Sequence, residues 1–236
     1  MRRALAAALL GVALLVVSGC DDLPGKPTHA ERYVLPVAVK GFTELYGTNC
    51  AGCHGAEGRL GPARALNDPL YLALASDDDL RQVITRGVAG TSMPAFATSE
   101  GGTLTDEQIG TLVGEMRTRW ARPQEVTGVT LPSYAPTAGD AQRGATAFSA
   151  TCASCHGADG KGGTSKGSIV DPSYLALVSD QSLRTTVIAG RTDLGMPDFR
   201  GGKGGAPMTS AQIADVVAWL AAQRTTFPGR PYPGSK

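Results

Sequence analysis

Cys50-Ala51-Gly52-Cys53-His54 and Cys152-Ala153-Ser154-Cys155-His156 each place two thiols and an imidazole within one short segment, twice in the same chain. Cysteines three residues apart on a helical turn face the same side. There they can reach the two vinyl groups along one porphyrin edge and form thioethers, while the next residue, His, turns under the ring to ligate iron. The pattern reads as a c-type heme attachment site, and its recurrence implies two covalently bound hemes c.

Other uses of the same residues were weighed. The two Cys-x-x-Cys pairs lie a full domain apart, and neither copy holds a complete four-ligand set, so a zinc ribbon fits poorly. A pair of thiol-disulfide centres would want a βαβ pattern, and disulfide chemistry does not ask for a His after each pair. Of the five Cys, four belong to these motifs and the fifth is Cys20.

The second axial ligand follows by elimination. The chain has three His; His54 and His156 are assigned and His29 lies near the start, so two bis-His hemes cannot be built from this chain. Met is then the natural donor. Of five Met, Met116 falls on the apolar face of a helix, Met208 at a helix start and Met1 at the N-terminus. Met93 and Met196 each stand in a Gly-containing loop within a Met-Pro-x-Phe segment, where the Pro holds its predecessor extended. They are the expected thioether ligands, a core-filling role being the alternative for any single Met.

Everything downstream of the first motif repeats. The Cys motifs are offset by 102 residues; Asp68-Pro69-Leu70-Tyr71-Leu72 matches Asp171-Pro172-Ser173-Tyr174-Leu175 at 103, as Met93 matches Met196; Thr105 and Gln108 match Thr209 and Gln212 at 104. A duplicated domain with small insertions explains that drift. The elements read as helices: Tyr46 and Phe148 one turn before the motifs, Ser76 and Ser179 as N-caps of second helices with Leu80, Val83, Ile84 and Leu183, Val187 inward. Thr105 with Gln108 and Thr209 with Gln212 have capping-box spacing ahead of last helices. No stretch alternates with period two, so the expected class is all-α. Aromatics make up 6% of a chain with 31 Gly and 15 Pro, which suggests long loops and cores filled by something other than aromatic rings.

Taken together, these residues resemble class I cytochromes c in a duplicated, two-heme form, over about residues 40–120 and 141–224. The resemblance implies two tandem helical domains, each wrapped round one heme with His on one face, Met on the other and terminal helices crossing. It also implies that a Pro carbonyl after the motif steadies the His. Pro62 holds that place in the first copy, and Thr164 replaces it in the second, which would let the two potentials differ.

The expected organisation is a signal peptide over 1–19, a tether over 20–38, domains over 39–120 and 140–227, a Pro-bearing linker over 121–139 and a tail over 228–236. Arg2 and Arg3 precede an uncharged apolar run that ends at Val17-Ser18-Gly19-Cys20. That order is an export signal, and the run is short of the roughly 20 residues of a spanning helix. Val17 to Cys20 resembles the bacterial lipoprotein signal, which implies a lipidated Cys20 and a membrane anchor at the periplasmic face of the cytoplasmic membrane. A formal net charge of +1 excludes a strongly basic nucleic-acid binder. Residues 20–130 hold 10 basic and 14 acidic side chains against 10 and 7 in 131–236, an asymmetry able to orient the protein between partners.

His/Met ligation leaves iron no open position, so electron transfer is the expected role rather than catalysis. The expected partners are redox proteins: a quinol-oxidising complex or dehydrogenase as donor, an oxidase or photosynthetic reaction centre as acceptor. A fixed subunit of a larger respiratory or photosynthetic complex is the alternative. Two-heme peroxidases resemble the layout but typically need an additional His, and two-heme thiosulfate-oxidising enzymes need a distal Cys; the chain offers only His29 and no spare thiol.

Overall fold

The computed structural model describes Gly25 and residues 33–163, 166–201 and 206–226. The signal segment, Cys20, His29, Thr164 and the tail from 228 lie outside the described residues. Contacts divide the chain into residues 1–38 and residues 39–236. Of the first unit, the described part holds a 3-10 turn at Pro36–Ala38 with Tyr33, Val34, Leu35 and Val37 exposed. The second unit carries both repeats.

It is all-α, and among its described residues the only β pairings are isolated bridges. The first repeat runs α1 (Phe42–Asn49), α2 (Ala51–His54), α3 (Pro69–Leu74), α4 (Asp77–Arg86) and α5 (Asp106–Trp120). The second runs α6 (Ala141–Thr151), α7 (Ala153–His156), α8 (Pro172–Ala176), α9 (Asp180–Ala189) and α10 (Ser210–Ala221).

The helix starts follow from local chemistry. Ser76 and Asp79 form a capping box on α4, and Thr105–Gln108 and Thr209–Gln212 do the same on α5 and α10; each satisfies N–H groups that a helix end leaves unpaired. Asp77, Asp78 and Asp79 crowd the positive end of the α4 dipole, with Arg86 at its last turn. Asp68 and Asp171 cap α3 and α8, each with Pro at the first helical position.

One buried apolar cluster runs through both repeats, from Leu45, Leu70, Ile109, Leu112 and Val113 to Leu175, Ile188, Ile213 and Val216. Leu80, Ile84, Leu183 and Val187 are buried as their periodicity requires, Val83 only partly, and Met116 is core. Aromatic rings do form part of each core, contrary to the compositional expectation. Phe42, Tyr46 and Trp120 meet with centroids 5.2–5.5 Å apart, and Phe148 stacks on Trp219 at 4.2 Å. Few aromatics are present, but they sit where the terminal helices cross, which is where a large rigid ring excludes most water. In the second repeat that crossing depends on Gly144: a Cβ there would lie 2.0 Å from the carbonyl oxygen of Asp215 on α10.

Arginines fasten α5 and α10 to the second-helix corners. Arg117 donates to the carbonyls of Leu72 and Ala75 and to Asp77. Arg224, just past α10, donates to the equivalents Leu175 and Val178 at 3.1 and 2.8 Å and to Asp180. The segment between the repeats is tied to both. Arg122 reaches Asn67 at 3.0 Å, while Arg184 and Gln181 of α9 bond the carbonyls of Ser133 and Tyr134 at 2.8–3.0 Å.

Candidate functional site

Both Cys motifs occupy the same break between two helices. Cys50 closes α1 by donating its N–H to Tyr46 (2.8 Å) and opens α2 by accepting from Cys53 and His54 (3.2 and 2.9 Å). Cys152 repeats this with Phe148, Cys155 and His156 at 2.8, 3.2 and 3.0 Å. Gly55 and Gly157 end the turn at φ 84° and 77°, a left-handed backbone that glycine adopts without strain. The first Cys of each pair is half-buried, the second exposed, and all four thiols are free.

The electrostatics set the first Cys of each pair apart from that of a redox dithiol. Burial, with a smaller contribution from Cys53, pushes Cys50 up to about 11, and burial raises Cys152 as well. Thiol-disulfide centres need the opposite, a depressed pKa. Among the described residues no group of three or more His, Cys, Asp or Glu side chains is arranged to hold a metal ion.

His54 stands with Nδ1 2.7 Å from the carbonyl oxygen of Arg64. A carbonyl only accepts, so Nδ1 carries the proton and Nε2 keeps a free lone pair, the tautomer an iron ligand requires. Burial lowers the His54 pKa, which favours the neutral ring. The steadying carbonyl was expected at Pro62; it belongs to Arg64 instead. Leu60 turns at φ 66° and Ala63 donates its N–H to the Cys53 carbonyl, which brings the carbonyl two residues later under the ring and leaves Pro62 exposed. In the second copy the buried Nδ1 of His156 has no partner among the described residues. The carbonyl of Lys166, the counterpart of Arg64, accepts from Gly163 at 3.0 Å.

Met93 and Met196, both half-buried, lie in loops folded back on the ends of α4 and α9. The carbonyl of Met93 accepts from Val88 at 3.0 Å, and Phe96 donates to Ile84 at 3.0 Å. In the second copy Arg191 and Met196 exchange both bonds at 3.0 and 3.1 Å, and Phe199 donates to Ile188 at 2.9 Å. Gly87 and Gly190 permit this approach: a Cβ on either would sit 2.5–2.6 Å from the Met-Pro backbone. Both Met thus stand in loops bonded back to the preceding helix, at equivalent positions of the two repeats.

The repeats meet asymmetrically, with the His54 loop of the first against the Met196 loop of the second. Leu60 N–H donates to Asp193 at 2.8 Å, Arg191 to the Gly61 carbonyl at 2.8 Å, Thr192 to Asp68 at 3.1 Å and Arg64 to Thr186 at 2.8 Å. Arg191 also forks onto both oxygens of Asp193 at 3.0 Å in a largely buried ion pair. No motif marks these residues in the sequence. A signal existed only in the pairing of Arg191 with Asp193 two residues on.

The donor set fits covalently held heme: paired free thiols on one turn, an imidazole held in the ligating tautomer, and a shielded Arg64 whose Nε and Nη1 find no partner among the described residues. The comparisons with known proteins agree. The family model for cytochrome c oxidase, cbb3-type, subunit III matches residues 38–114 and 139–220. Among similar curated proteins is the cbb3-type cytochrome c oxidase subunit FixP of Bradyrhizobium sp. (strain ORS 278), 32% identical over 201 residues, covering 80% of this chain and 62% of that one. The CcoP subunit of Cereibacter sphaeroides is 26% identical over 203 residues, covering 81% and 63%. That of Azospirillum sp. (strain B510) is 28% identical over 148 residues, covering 58% and 45%. The chain thus spans about two fifths to three fifths of the length of the curated relatives it matches. Two attachment motifs in two helical repeats, each inside one matched segment, make it a two-heme c-type cytochrome, and the protein belongs to the cbb3-type cytochrome c oxidase subunit III family.

Proposed function

We propose that this chain is a fixed electron-transfer subunit of a terminal oxidase complex, the alternative to a freely exchanging carrier. The observation that supports it is the family match over both repeats, with relatives named as subunits of cbb3-type oxidases. Cys50, Cys53, Cys152 and Cys155 would hold two hemes by thioethers, with His54 and Met93 as the iron-ligating residues of one and His156 and Met196 as those of the other. When bound, each heme supplies a one-electron ferrous/ferric couple, and no residue here is assigned to substrate chemistry.

The protein's own groups set the conditions for that couple. The Arg64 carbonyl fixes the His54 tautomer, the clamped loops hold Met93 and Met196, and the apolar cluster keeps water away. The docking of the His54 loop on the Met196 loop favours passage between the repeats within one body. In our reading residues 1–19 are an export signal and Cys20 carries lipid, so that domains 39–120 and 140–227 stand at the periplasmic face. No helix among the described residues is long and apolar enough to cross a membrane.

Mild detergent extraction followed by affinity purification tests this. Recovery with an oxidase whose cytochrome c oxidation falls when the chain is deleted is expected. A chain that runs alone and restores electron flow when added back would instead be a carrier, a reading that the lipoprotein-like run Val17 to Cys20 favours.

A further inference from the structure

The guanidinium of Arg64 sits at the junction of the repeats. It lies 5.1 Å from the centre of the Tyr71 ring and donates Nη2 to Thr186 at 2.8 Å, while Nε and Nη1 are shielded from solvent with no partner among the described residues. The nearby acids are engaged elsewhere: Asp68 accepts from Tyr71 N–H and from Thr192, and Asp193 accepts from Arg191 and Leu60 N–H. Among the described residues Arg64 forms no ion pair. A shielded cation with two open donors in a fork calls for an oxyanion, best a carboxylate.

Its place restricts which carboxylate. The carbonyl of Arg64 itself accepts from His54, so the guanidinium lies within one side chain's reach of the ligand ring. Heme carries two propionate carboxylates. We propose that Arg64 anchors a heme propionate at the junction through Nε and Nη1, its third nitrogen bonded to Thr186 of the other repeat. The inference rests on the two-heme reading. A positive charge there disfavours the ferric state, so Arg64 raises the potential of the heme it holds, and its bond to Thr186 makes that setting depend on the docking of the second repeat.

The experiment uses the full chain matured with heme, as wild type and as Arg64→Gln, Arg64→Lys and Thr186→Val. Heme content by pyridine hemochrome comes first: fewer than two hemes in the wild type would sink the parent reading, not this one. With two hemes, Arg64→Gln is expected to lower one midpoint potential and shift a propionate-bending mode in the resonance Raman spectrum, with the near-infrared sulfur-to-iron band unchanged. Arg64→Lys keeps the charge but loses the fork, so the Raman mode shifts while the potential stays near wild type. Thr186→Val lowers the same potential by a smaller step. If Arg64→Gln fails to mature, the Raman mode of Arg64→Lys decides. Two hemes with both potentials and the propionate modes at wild-type values would overturn the proposal.

Discussion

His54 Nδ1 stands 2.7 Å from the carbonyl of Arg64, while the matching nitrogen of His156 is buried without a partner among the described residues. A hydrogen bond from Nδ1–H strengthens the Nε2 donor and stabilises ferric iron. The two sites are therefore unequal, and spectroelectrochemical titration of the holoprotein is expected to give two resolved one-electron waves. One wave fitted by a single potential would contradict the asymmetry.

Arg117 and Arg224 do the same work from different positions. Each bonds two carbonyls and a helix-start carboxylate, and hydrogen bonds to a charged group are worth about 1.5–3 kcal/mol. Replacing either by Ala should cost about 2 kcal/mol in denaturant unfolding, with the loss falling in the repeat that carries it. An unchanged midpoint would make these bonds incidental.

The close crossing of α6 and α10 has no room for a side chain at position 144. Gly144→Ala must part the helices or bend them, and overpacking of this kind costs about 1–3 kcal/mol. Calorimetry should show a lower Tm for Gly144→Ala, whereas Gly114→Ala, with open space around it, should be neutral or slightly stabilising.

The junction is expected to weaken in acid. Burial alone would raise the Asp193 carboxyl pKa, but hydrogen bonds from Arg191 and Leu60 N–H outweigh it and hold the group below its ordinary value. A folded pKa below the unfolded one means that ionised Asp193 contributes stability above the unfolded pKa, about 4, and the contribution is lost as pH falls through the folded value. Unfolding curves between pH 6 and about pH 3 should be steeper in pH for the wild type than for Asp193→Asn. Equal slopes would remove Asp193 from the account.

The helical class, the capping boxes at Thr105 and Thr209 and the caps at Ser76 and Ser179 were legible because each rests on chemistry within about four residues, and the repeat because the same short motifs recur in the same order. The short helices α3 and α8 were missed although Asp68-Pro69 and Asp171-Pro172 spell a cap followed by Pro at the first position. Arg117 and Arg224 were out of reach for another reason. Helix α5 carries its Arg three residues before Trp120, whereas in the second repeat Arg224 follows Trp219 by five. Alignment of the copies therefore sets Arg224 against Trp120 and hides a shared role that only packing reveals. Pro62 was misread for a related reason: which carbonyl meets His54 depends on how the loop turns at Leu60, a backbone detail with no side-chain signature. The repeat junction left almost no trace beyond the Arg191–Asp193 pair, because its contacts join residues more than a hundred positions apart.

The central claim is two His/Met hemes held by one chain. Its most direct test is heme content per polypeptide, measured together with the near-infrared band that reports sulfur bound to ferric iron, in the wild type and in Met93→Ala and Met196→Ala. Two c-type hemes are expected, with the band at full strength in the wild type and at about half in each variant, one of two hemes having lost its thioether ligand. A single heme, or a band untouched by either substitution, would contradict the account.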